Sequence, residues 1–582
     1  FFKNILSTVL GIILSFAILV ILFIGIISVI SINSKKEVEI KPNTILKIDF
    51  TNPIVERKST NPLDEISLTS SEPKKTIELK QVLDNIEKAK NDENIVAIYL
   101  NASSISAGFS QTEEIRNKLL DFKSSGKKII SYAESYSQKI YYLSSLANQL
   151  YLNPEGIIGL TGFSANIMFF KGLLEKLNIE MQIIRHGKFK SAVEPFISDK
   201  MSKENREQTK LFLEDFANNM FDSIASQRKI KYQDIKKYIN QLSLNTAKKC
   251  KELGFVDDLI YEDQIEEILK EITGSEELEF ITLKKYTNVK ASTQKDISRN
   301  KIAIIYTTGE IQSGKGDNGT IGSKTTAKAI KDAREDEKVK AIVIRINSPG
   351  GSALASDVIW RETILTKGVK PIVVSMGDVA ASGGYYIACA ADSIVANPTT
   401  ITGSIGVFGM IPNMQSFYEK NLGITVDTVN THKYADIGSL NRRLTNFEKN
   451  KIQENVEKTY DTFIGNVSQG RSLTKKEVDK IGQGRVWSGY HAKKIGLVDI
   501  LGGLERAIKI AAKLADLDNY RTINLPKEKN SFEEFFENIN SETSNTLIFK
   551  TIGISQEKLK TIENLLKNDP VQTRLPYLIT LE

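Results

Sequence analysis

An internal repeat constrains the fold of this 582-residue chain more than any other feature of its sequence. Tyr141-Tyr142 and Asn153-Pro154 in the first half recur as Tyr385-Tyr386 and Asn397-Pro398 in the second, a separation of about 244 residues. Two further matches keep the same order: NIVAIYLNASS with KVKAIVIRINS upstream, and GFVD with GLVD downstream. Four matches in one order predict two copies of a single domain.

Within the repeats, short β-branched runs alternate with helical patterns. The second copy contains AIVIRI, PIVVSM and SIVAN as runs typical of buried strands, with helical segments such as SALASDVIWRETILTKG between them. This alternation predicts parallel strands with crossover helices. We therefore expect an α/β fold whose two repeats cover residues 35–295 and 296–525, followed by a C-terminal helical appendage over residues 526–582.

An uncharged apolar segment, Ile5–Ile32, precedes the first repeat. It exceeds the roughly 20 residues that a helix needs to span a bilayer. A cleaved signal peptide is the alternative, but its apolar region would be shorter and would end in small residues. Here the segment ends in bulky side chains such as Val29-Ile30, so we expect residues 1–34 to form an uncleaved transmembrane anchor. Lysines flank the segment on both sides, so their count does not fix its orientation.

Composition excludes several classes of function. The formal net charge is +7 and no basic stripe alternates with aromatic residues, so nucleic acid is not an expected partner. The two cysteines, Cys250 and Cys389, lie far apart, which argues against a disulfide framework. The three histidines, at positions 186, 432 and 491, show no metal-binding spacing. We therefore expect neither a metal site nor a cofactor.

Two glycine-rich turns in the second repeat follow predicted strands. The first, NSPGGS, places Gly350 and Gly351 between a buried strand and a helix, where backbone amides could face a substrate carbonyl. A tight turn without a ligand is the alternative. The second, AASGGYY, places Ser382 at the start of an apolar helix, where it is either a nucleophile or a capping serine. Turns at the ends of parallel strands meet at one edge of the sheet, where ligands gather.

The repeat comparison suggests a lysine as the base for this serine. Lys190 in the first copy aligns with Ala435 in the second, whereas Ser382 aligns with Gln138, so each copy holds what the other lacks. Small residues follow the lysine at Ser191–Val193, as expected for a buried site. Burial would favour the neutral amine that a general base requires. The alternative is an ordinary solvated lysine on the surface.

Together, AASGGYY, NSPGGS, TGSIGVFG and KSAVEPF resemble the long, two-repeat form of the signal peptide peptidase A family. The resemblance covers almost the whole chain, including RLPY near its end. It implies a Clp-protease/crotonase-like fold and a homotetramer on the periplasmic face of the bacterial inner membrane. The implied activity is that of a serine endopeptidase, which cuts remnant signal peptides and similar hydrophobic peptides within the membrane.

The same resemblance implies roles for individual residues. Ser382 would be the nucleophile, Lys190 the general base, and Ser404 of TGSIG the serine that positions the lysine amine. The implied oxyanion donors are the amides of Gly350, Gly351 and Gly383. In the first copy Leu160 stands opposite Ser404, which is consistent with a degenerate first copy.

Two other functions are compatible with parts of the sequence. An acyl-CoA enzyme on the crotonase version of this fold would also use a glycine-rich oxyanion site, but it would need neither an anchor nor a paired serine and lysine. A catalytically silent membrane scaffold would have no reason to retain these residues in complementary copies. A fluorophosphonate probe that labels the chain at Ser382 would favour the protease over the acyl-CoA enzyme.

Overall fold

The computed structural model describes residues 38–58, 76–290, 298–316, 319–527 and 571–574, together with single positions among the first 18. The predicted anchor therefore lies outside the described residues apart from those single positions. Within the described part of the chain, no helix combines the length and apolar character needed to cross a membrane.

The first half contains eleven strands and ten α-helices in the described ranges. The strands are β1 (Thr44–Ile48), β2 (Ile54–Val55), β3 (Ile77–Glu78), β4 (Ile95–Leu100), β5 (Lys128–Ala133), β6 (Tyr136–Ser137), β7 (Gln149–Leu152), β8 (Ile158–Gly159), β9 (Glu180–His186), β10 (Asp258–Leu259) and β11 (Phe280–Thr282). The helices are α1 (Leu79–Asn91), α2 (Phe109–Lys123), α3 (Gln138–Ser144), α4 (Lys171–Lys176), α5 (Glu194–Ile197), α6 (Lys203–Arg228), α7 (Tyr232–Asn240), α8 (Ala247–Glu252), α9 (Glu262–Thr273) and α10 (Leu283–Tyr286).

The second half follows the same alternation. Its strands are β12 (Lys301–Thr308), β13 (Glu310–Gln312), β14 (Thr320–Gly322), β15 (Val339–Ser348), β16 (Gly350–Ser352), β17 (Ile372–Ala381), β18 (Ser393–Ala396), β19 (Ile401–Gly403), β20 (Val407–Asn413), β21 (Val486–Ser488), β22 (Ile500–Leu501), β23 (Arg521–Leu525) and β24 (Val571–Arg574). Its helices are α11 (Ser323–Glu335), α12 (Ala353–Thr366), α13 (Gly383–Ala388), α14 (Gln415–Phe417), α15 (Asn446–Arg471), α16 (Lys475–Ile481), α17 (Gly489–Lys494) and α18 (Leu504–Leu514).

Two sheets, each with six parallel strands in the same order, form the framework. The first sheet runs β10-β7-β5-β4-β1-β11, and the second runs β22-β18-β17-β15-β12-β23. In the second sheet β19 also pairs with β17, and β21 pairs antiparallel with β19. The central strands β12 and β15 are β-branched runs buried on both faces, because helix α18 covers one face and helices α11, α12 and α13 cover the other. The predicted α/β fold with two repeats is confirmed.

Matching hydrogen bonds show how closely the repeats correspond. The Tyr141 hydroxyl donates to the Phe255 carbonyl at 2.8 Å, and the Tyr385 hydroxyl donates to the Leu497 carbonyl at the same distance. Asp257 and Asp499 each accept a backbone N–H from the preceding parallel strand at 2.7 Å. The two halves therefore share local contacts as well as topology.

A third sheet, ordered β14-β13-β16-β24-β20-β9, joins the halves. Strand β9 of the first half pairs antiparallel with β20 of the second over seven positions, from Glu180 opposite Asn413 to His186 opposite Val407. The repeat offset places the counterpart of β20 at residues 163–169, which form no strand in the first half. Each half thus contributes one strand to a ladder that neither half forms alone.

Buried charges also connect the halves. The guanidinium of Arg345 donates to Glu56 at 2.8 Å and to Glu114 at 2.7 Å, and all three side chains are almost fully buried. Removing either carboxylate would leave part of a buried charge without its partner, which is strongly destabilising. The contact therefore fixes the second sheet against the first half.

The C-terminal appendage differs from the expected helix where it is described. Residues 571–574 form strand β24 of the third sheet, and residues 528–570 and 575–582 lie outside the described residues. The alternation of apolar and charged residues that predicts helices falls in those outer ranges.

Candidate active site

Ser382 lies where the central strand β17 ends and helix α13 begins. Its backbone has φ 56° and ψ −113°, a conformation that residues other than glycine seldom adopt. Such strain persists only where the surrounding structure holds it, and it concentrates at functional sites. The serine makes no side-chain capping bond to the helix, which disfavours the interpretation as an N-cap.

Two glycines after the serine allow its close packing. A β-carbon on Gly383 would lie 2.6 Å from Ser356 Oγ, and one on Gly384 would lie 3.0 Å from the Ser348 carbonyl oxygen. Neither distance leaves room for a side chain. The sequence SGG therefore lets the first turn of α13 approach β15 and α12 closely.

The β9–β20 ladder places Lys190 beside Ser382. Strand β9 ends at His186, and Lys190 directly precedes a short 3₁₀ helix at Ser191–Val193. On the other strand of the ladder, β20 begins at Val407, shortly after Ser404. The end of one strand and the start of its partner thus bring the lysine and this second serine together.

The lysine amine contacts both predicted serines. Lys190 Nζ lies within hydrogen-bond distance of three oxygens: Ser382 Oγ at 2.8 Å, Ser404 Oγ at 3.1 Å and the Ser404 carbonyl oxygen at 3.2 Å. Ser404 is itself held with φ 51°, and its amide donates to the Arg485 carbonyl at 2.7 Å. The structure therefore brings together the three side chains that the sequence singles out.

The environment of Lys190 favours a neutral amine. Lys190, Ser382 and Ser404 have 0% exposed area, and the three oxygens within hydrogen-bond distance of the amine are all uncharged. Burial without a charged partner lowers the pKa of Lys190 well below its ordinary value. The predicted burial is present, and the alternative of a solvated surface lysine does not describe this side chain.

Two further glycines make room for the lysine chain. A β-carbon on Gly484 would lie 2.6 Å from Lys190 Cβ, and one on Gly406 would lie 3.2 Å from Lys190 Cδ. Gly484 also has φ +80°, and its amide donates to the Ile405 carbonyl at 2.7 Å. These glycines therefore let the surrounding backbone pack closely against Lys190.

The glycine pair of NSPGGS is part of a strand rather than a loop. Gly350 and Gly351 belong to β16, with φ +102° and +156°. The Gly350 amide donates to Ser348 Oγ at 3.1 Å, while a β-carbon on Gly350 would lie 2.8 Å from the Gly383 nitrogen. Gly350 and Gly383 therefore line the same small space beside Ser382, and Gly351 continues the ladder of the third sheet.

Strand β24 borders this space on its other side. It pairs antiparallel with β16 and with β20, so it lies between the glycine pair and the strand that follows Ser404. Thr573 is fully buried there, and its hydroxyl donates to the Gly351 carbonyl at 3.1 Å. The sequence gives no sign of this strand, because its partners lie far away along the chain.

The histidines have other partners. The ring of His186 contacts Glu457, that of His432 contacts Thr431, and that of His491 contacts Asp215. The Ser488 hydroxyl donates to Asp215 and also accepts from the backbone N–H of His491, so it caps helix α17. Ser488, Asp215 and His491 therefore do not form a relay in which the histidine takes the proton of the serine.

Gln208 on α6 is a structural residue that the sequence interpretation missed. Its side-chain nitrogen donates to Ser191 Oγ at 3.0 Å and to the Phe189 carbonyl at 3.3 Å, and its oxygen accepts from the Val486 amide at 3.0 Å. It therefore ties the segment around Lys190 to β21. A lone glutamine in a helical pattern carries no signal for this role.

Comparison with known proteins agrees with the repeat structure. The sequence profile of Peptidase family S49 matches this chain twice, at residues 121–275 and 365–518. The two matches fall on corresponding parts of the two halves, so the repeat and the family domain coincide.

Relatives match over most of the chain. Serine protease SPPA, chloroplastic, of Arabidopsis thaliana is 36% identical, covering 86% of this chain and 74% of that protein. Protease 4 of Salmonella typhi is 37% identical, covering 82% of this chain and 79% of that protein. Among solved structures, a ClpP1 mutant from Listeria monocytogenes is 14% identical with a TM-score of 0.24, covering 35% of this chain and 94% of that one.

Proposed function

The chain belongs to peptidase family S49 and is a serine peptidase, and on that premise we propose that Ser382 and Lys190 form its catalytic dyad. The observation that carries this proposal is the 2.8 Å hydrogen bond between the buried Lys190 amine and Ser382 Oγ. A serine needs an adjacent base to act as a nucleophile, and a lysine serves as one when burial keeps it neutral.

The reaction is acyl transfer to water. Neutral Lys190 takes the proton of Ser382, and the oxygen attacks the carbonyl carbon of the peptide bond. The Gly383 amide is the main proposed donor to the negative oxygen of the intermediate, because the Gly350 amide donates to Ser348 Oγ and Gly351 pairs within the third sheet. Lys190 gives its proton to the leaving amine and then activates the water that hydrolyses the ester. Ser404 positions the amine through its hydroxyl and carbonyl oxygens.

The test combines labelling with hydrolysis. A fluorophosphonate probe should label the wild-type chain at Ser382, and Ser382→Ala and Lys190→Ala should abolish both labelling and peptide hydrolysis. Circular dichroism should show that both variants fold. Hydrolysis by Ser382→Ala at near the wild-type rate would show that another residue is the nucleophile and would contradict the assignment.

The proposed substrates are remnant signal peptides and similar hydrophobic peptides, cut at the periplasmic face of the bacterial inner membrane. This part of the proposal rests on the family resemblance and on the uncharged segment Ile5–Ile32, whose length suits a single membrane span. Native protein should remain with the membrane fraction during alkaline extraction. Recovery of soluble chains lacking residues 1–34 would contradict the anchor.

A homotetramer is the proposed assembly, and two segments support it. Residues 163–169 and 424–430 are the counterparts of β20 and β9 at the repeat offset, yet neither forms a strand. Met168 and Val429 in these segments are 73% and 97% exposed. Pairing 163–169 of one subunit with 424–430 of the next would repeat the β9–β20 ladder between chains and would close a ring.

Light scattering after size-exclusion chromatography tests this assembly. Val429→Lys should convert the tetramer to smaller species, because a buried charge would face an apolar strand. Val369→Lys is the matched control, since Val369 is 64% exposed in the turn after α12, away from both segments. A Val429→Lys variant that remains a tetramer would contradict the strand pairing.

A further inference from the structure

The turn at residues 482–485, between α16 and β21, contacts the backbone on both sides of the lysine amine. On one side, the Phe189 amide donates to the Gln483 carbonyl at 2.9 Å. On the other side, the Arg485 carbonyl accepts from the Ser404 amide at 2.7 Å. The turn therefore binds the residue directly before the lysine and also the serine whose oxygens lie beside the amine.

The turn is strained at Gln483. This residue has φ 55°, a left-handed conformation that residues with a β-carbon seldom adopt. The approaching segment is equally restricted, because a β-carbon on Gly187 would overlap the Gln483 carbonyl oxygen. Backbone strain of this kind persists only where the surrounding structure holds it. Other residues must therefore fix Gln483 in place.

Tyr460 on α15 and Asp479 on α16 fix this residue. The Tyr460 hydroxyl accepts from the Gln483 amide at 3.2 Å and donates to the Asp479 carboxylate at 2.6 Å. The same carboxylate accepts from the side chain of Gln483 at 2.5 Å. Because Tyr460 is only 3% exposed, loss of its hydroxyl would leave these polar groups without a partner in a buried place.

The ring of Tyr460 contacts the lysine segment a second time. It stacks on the ring of His186, with the ring centroids 3.8 Å apart and the planes inclined by 24°. His186 is the last residue of β9, four positions before Lys190, and lies opposite Val407 in the β9–β20 ladder. One tyrosine of the second half thus holds the lysine segment of the first half at two points.

We propose that Tyr460 is a positioning residue, which keeps the Lys190 amine beside Ser382 by holding the turn at Gln483. This rests on the proposed dyad of Ser382 and Lys190. The Tyr460 hydroxyl bonds to the turn and to Asp479 rather than to the amine, so it acts on the reaction only through the position of the lysine.

Tyr460→Phe tests the proposal, since it removes the hydroxyl and keeps the ring that stacks on His186. Misplacement of a catalytic group by about 1 Å can cost about 100-fold in rate, so kcat should fall by about 10- to 100-fold while KM stays within about twofold. A loosened turn also lets water reach the amine, which moves the pKa of Lys190 up toward its ordinary value. The rise of kcat/KM with pH should therefore move to higher pH.

Tyr286→Phe is the matched control. Tyr286 is fully buried in the first half, and its hydroxyl also donates to an aspartate, Asp92, at 2.9 Å. This variant should lose stability as Tyr460→Phe does, but it should keep the kcat and the pH profile of the wild type. Urea denaturation measures the stability of both variants.

A second pair of variants tests the same contact from its other partner. Asp479→Ala should reproduce the loss of kcat, whereas Asp479→Asn keeps an oxygen that accepts from the Tyr460 hydroxyl and should restore part of it. If Tyr460→Phe keeps the kcat and pH profile of the wild type, or if Tyr286→Phe loses as much activity, the positioning role is wrong. The dyad then still stands, provided that Ser382→Ala is inactive; if Ser382→Ala hydrolyses peptides, both proposals fail.

Discussion

The Lys190 amine and the Ser382 hydroxyl lie 2.8 Å apart, although 192 residues separate them along the chain. Each comes from a different repeat, and its counterpart in the other repeat is of another type: Ala435 for the lysine and Gln138 for the serine. The proposed site is thus assembled from two copies that each lack part of it.

Replacing the lysine tests whether it acts as a base or only as a charge. Because burial lowers the pKa of Lys190, kcat/KM should rise with pH through a value well below the roughly 10.4 of a free lysine. Lys190→Arg should be as inactive as Lys190→Ala, since a guanidinium stays protonated at any usable pH. Lys188→Ala is the control, because Lys188 is exposed and should be replaceable with little loss. Substantial turnover by the Arg variant would remove Lys190 from the base role.

Ser404→Ala should weaken catalysis without removing it. The variant loses the 3.1 Å hydroxyl contact to the amine but keeps the 3.2 Å carbonyl contact. Misplacement of a catalytic group by about 1 Å can cost about 100-fold in rate, so we expect a loss of that order in kcat. The pH profile of kcat/KM should shift as well, whereas a purely structural role would leave it in place. Ser404→Thr should restore part of the activity.

Gly484→Ala should disable the enzyme through the lysine it touches. The new methyl group would lie 2.6 Å from both Lys190 Cβ and the Lys190 backbone nitrogen, so it would displace the lysine from its place beside Ser382. Gly438→Ala is a matched control, since Gly438 has nearly the same φ, +82° against +80°, with nothing within 4 Å of its β-carbon. Peptide hydrolysis should fall sharply only in the Gly484 variant. An equal loss of activity in both variants would show that backbone strain at the substituted glycine, rather than contact with Lys190, causes the effect.

Glu113 should make the contact between the halves sensitive to pH. It accepts from Thr399 of the second half at 2.8 Å, and burial raises its pKa to about 7. Because the folded-state pKa is raised, the protonated carboxyl favours folding, and this contribution disappears as pH rises from about 4.5 through about 7. Between pH 4 and pH 8, the free energy of unfolding of Glu113→Gln should therefore rise by about 3 kcal/mol relative to that of the wild type.

Urea denaturation at several pH values measures this difference. Exposed Glu266→Gln is the control and should show no comparable change with pH. If the free energies of unfolding of Glu113→Gln and the wild type differ by the same amount at every pH in this range, the raised pKa of Glu113 is contradicted.

The repeat explains why much of the fold could be predicted from one sequence. Matching pairs such as Tyr141-Tyr142 and Tyr385-Tyr386 record the shared topology, and the buried strands are visible as β-branched runs. The same comparison singled out Lys190, because a residue needed in only one copy stands out against its counterpart.

Other features could not be predicted because they depend on contacts between distant segments. The strand character of Gly350-Gly351 needs β13 and β24 as partners, and the role of Gln208 needs the fold of α6 against β21. In the sequence Gly484 cannot be told from an ordinary turn glycine, because its contact with Lys190 is visible only in the structure. The placement of β24 likewise depends on a segment at the far end of the sequence.

The β9–β20 ladder also determines when the proposed active site can form during synthesis of the chain. During synthesis the first half emerges with Lys190 but with neither of the serines, and β9 has no partner until β20 has been made. A growing chain, or one truncated before its second half, therefore holds the proposed base without the proposed nucleophile. With that dyad, peptide hydrolysis requires both halves to dock, so we expect the first half alone to be inactive.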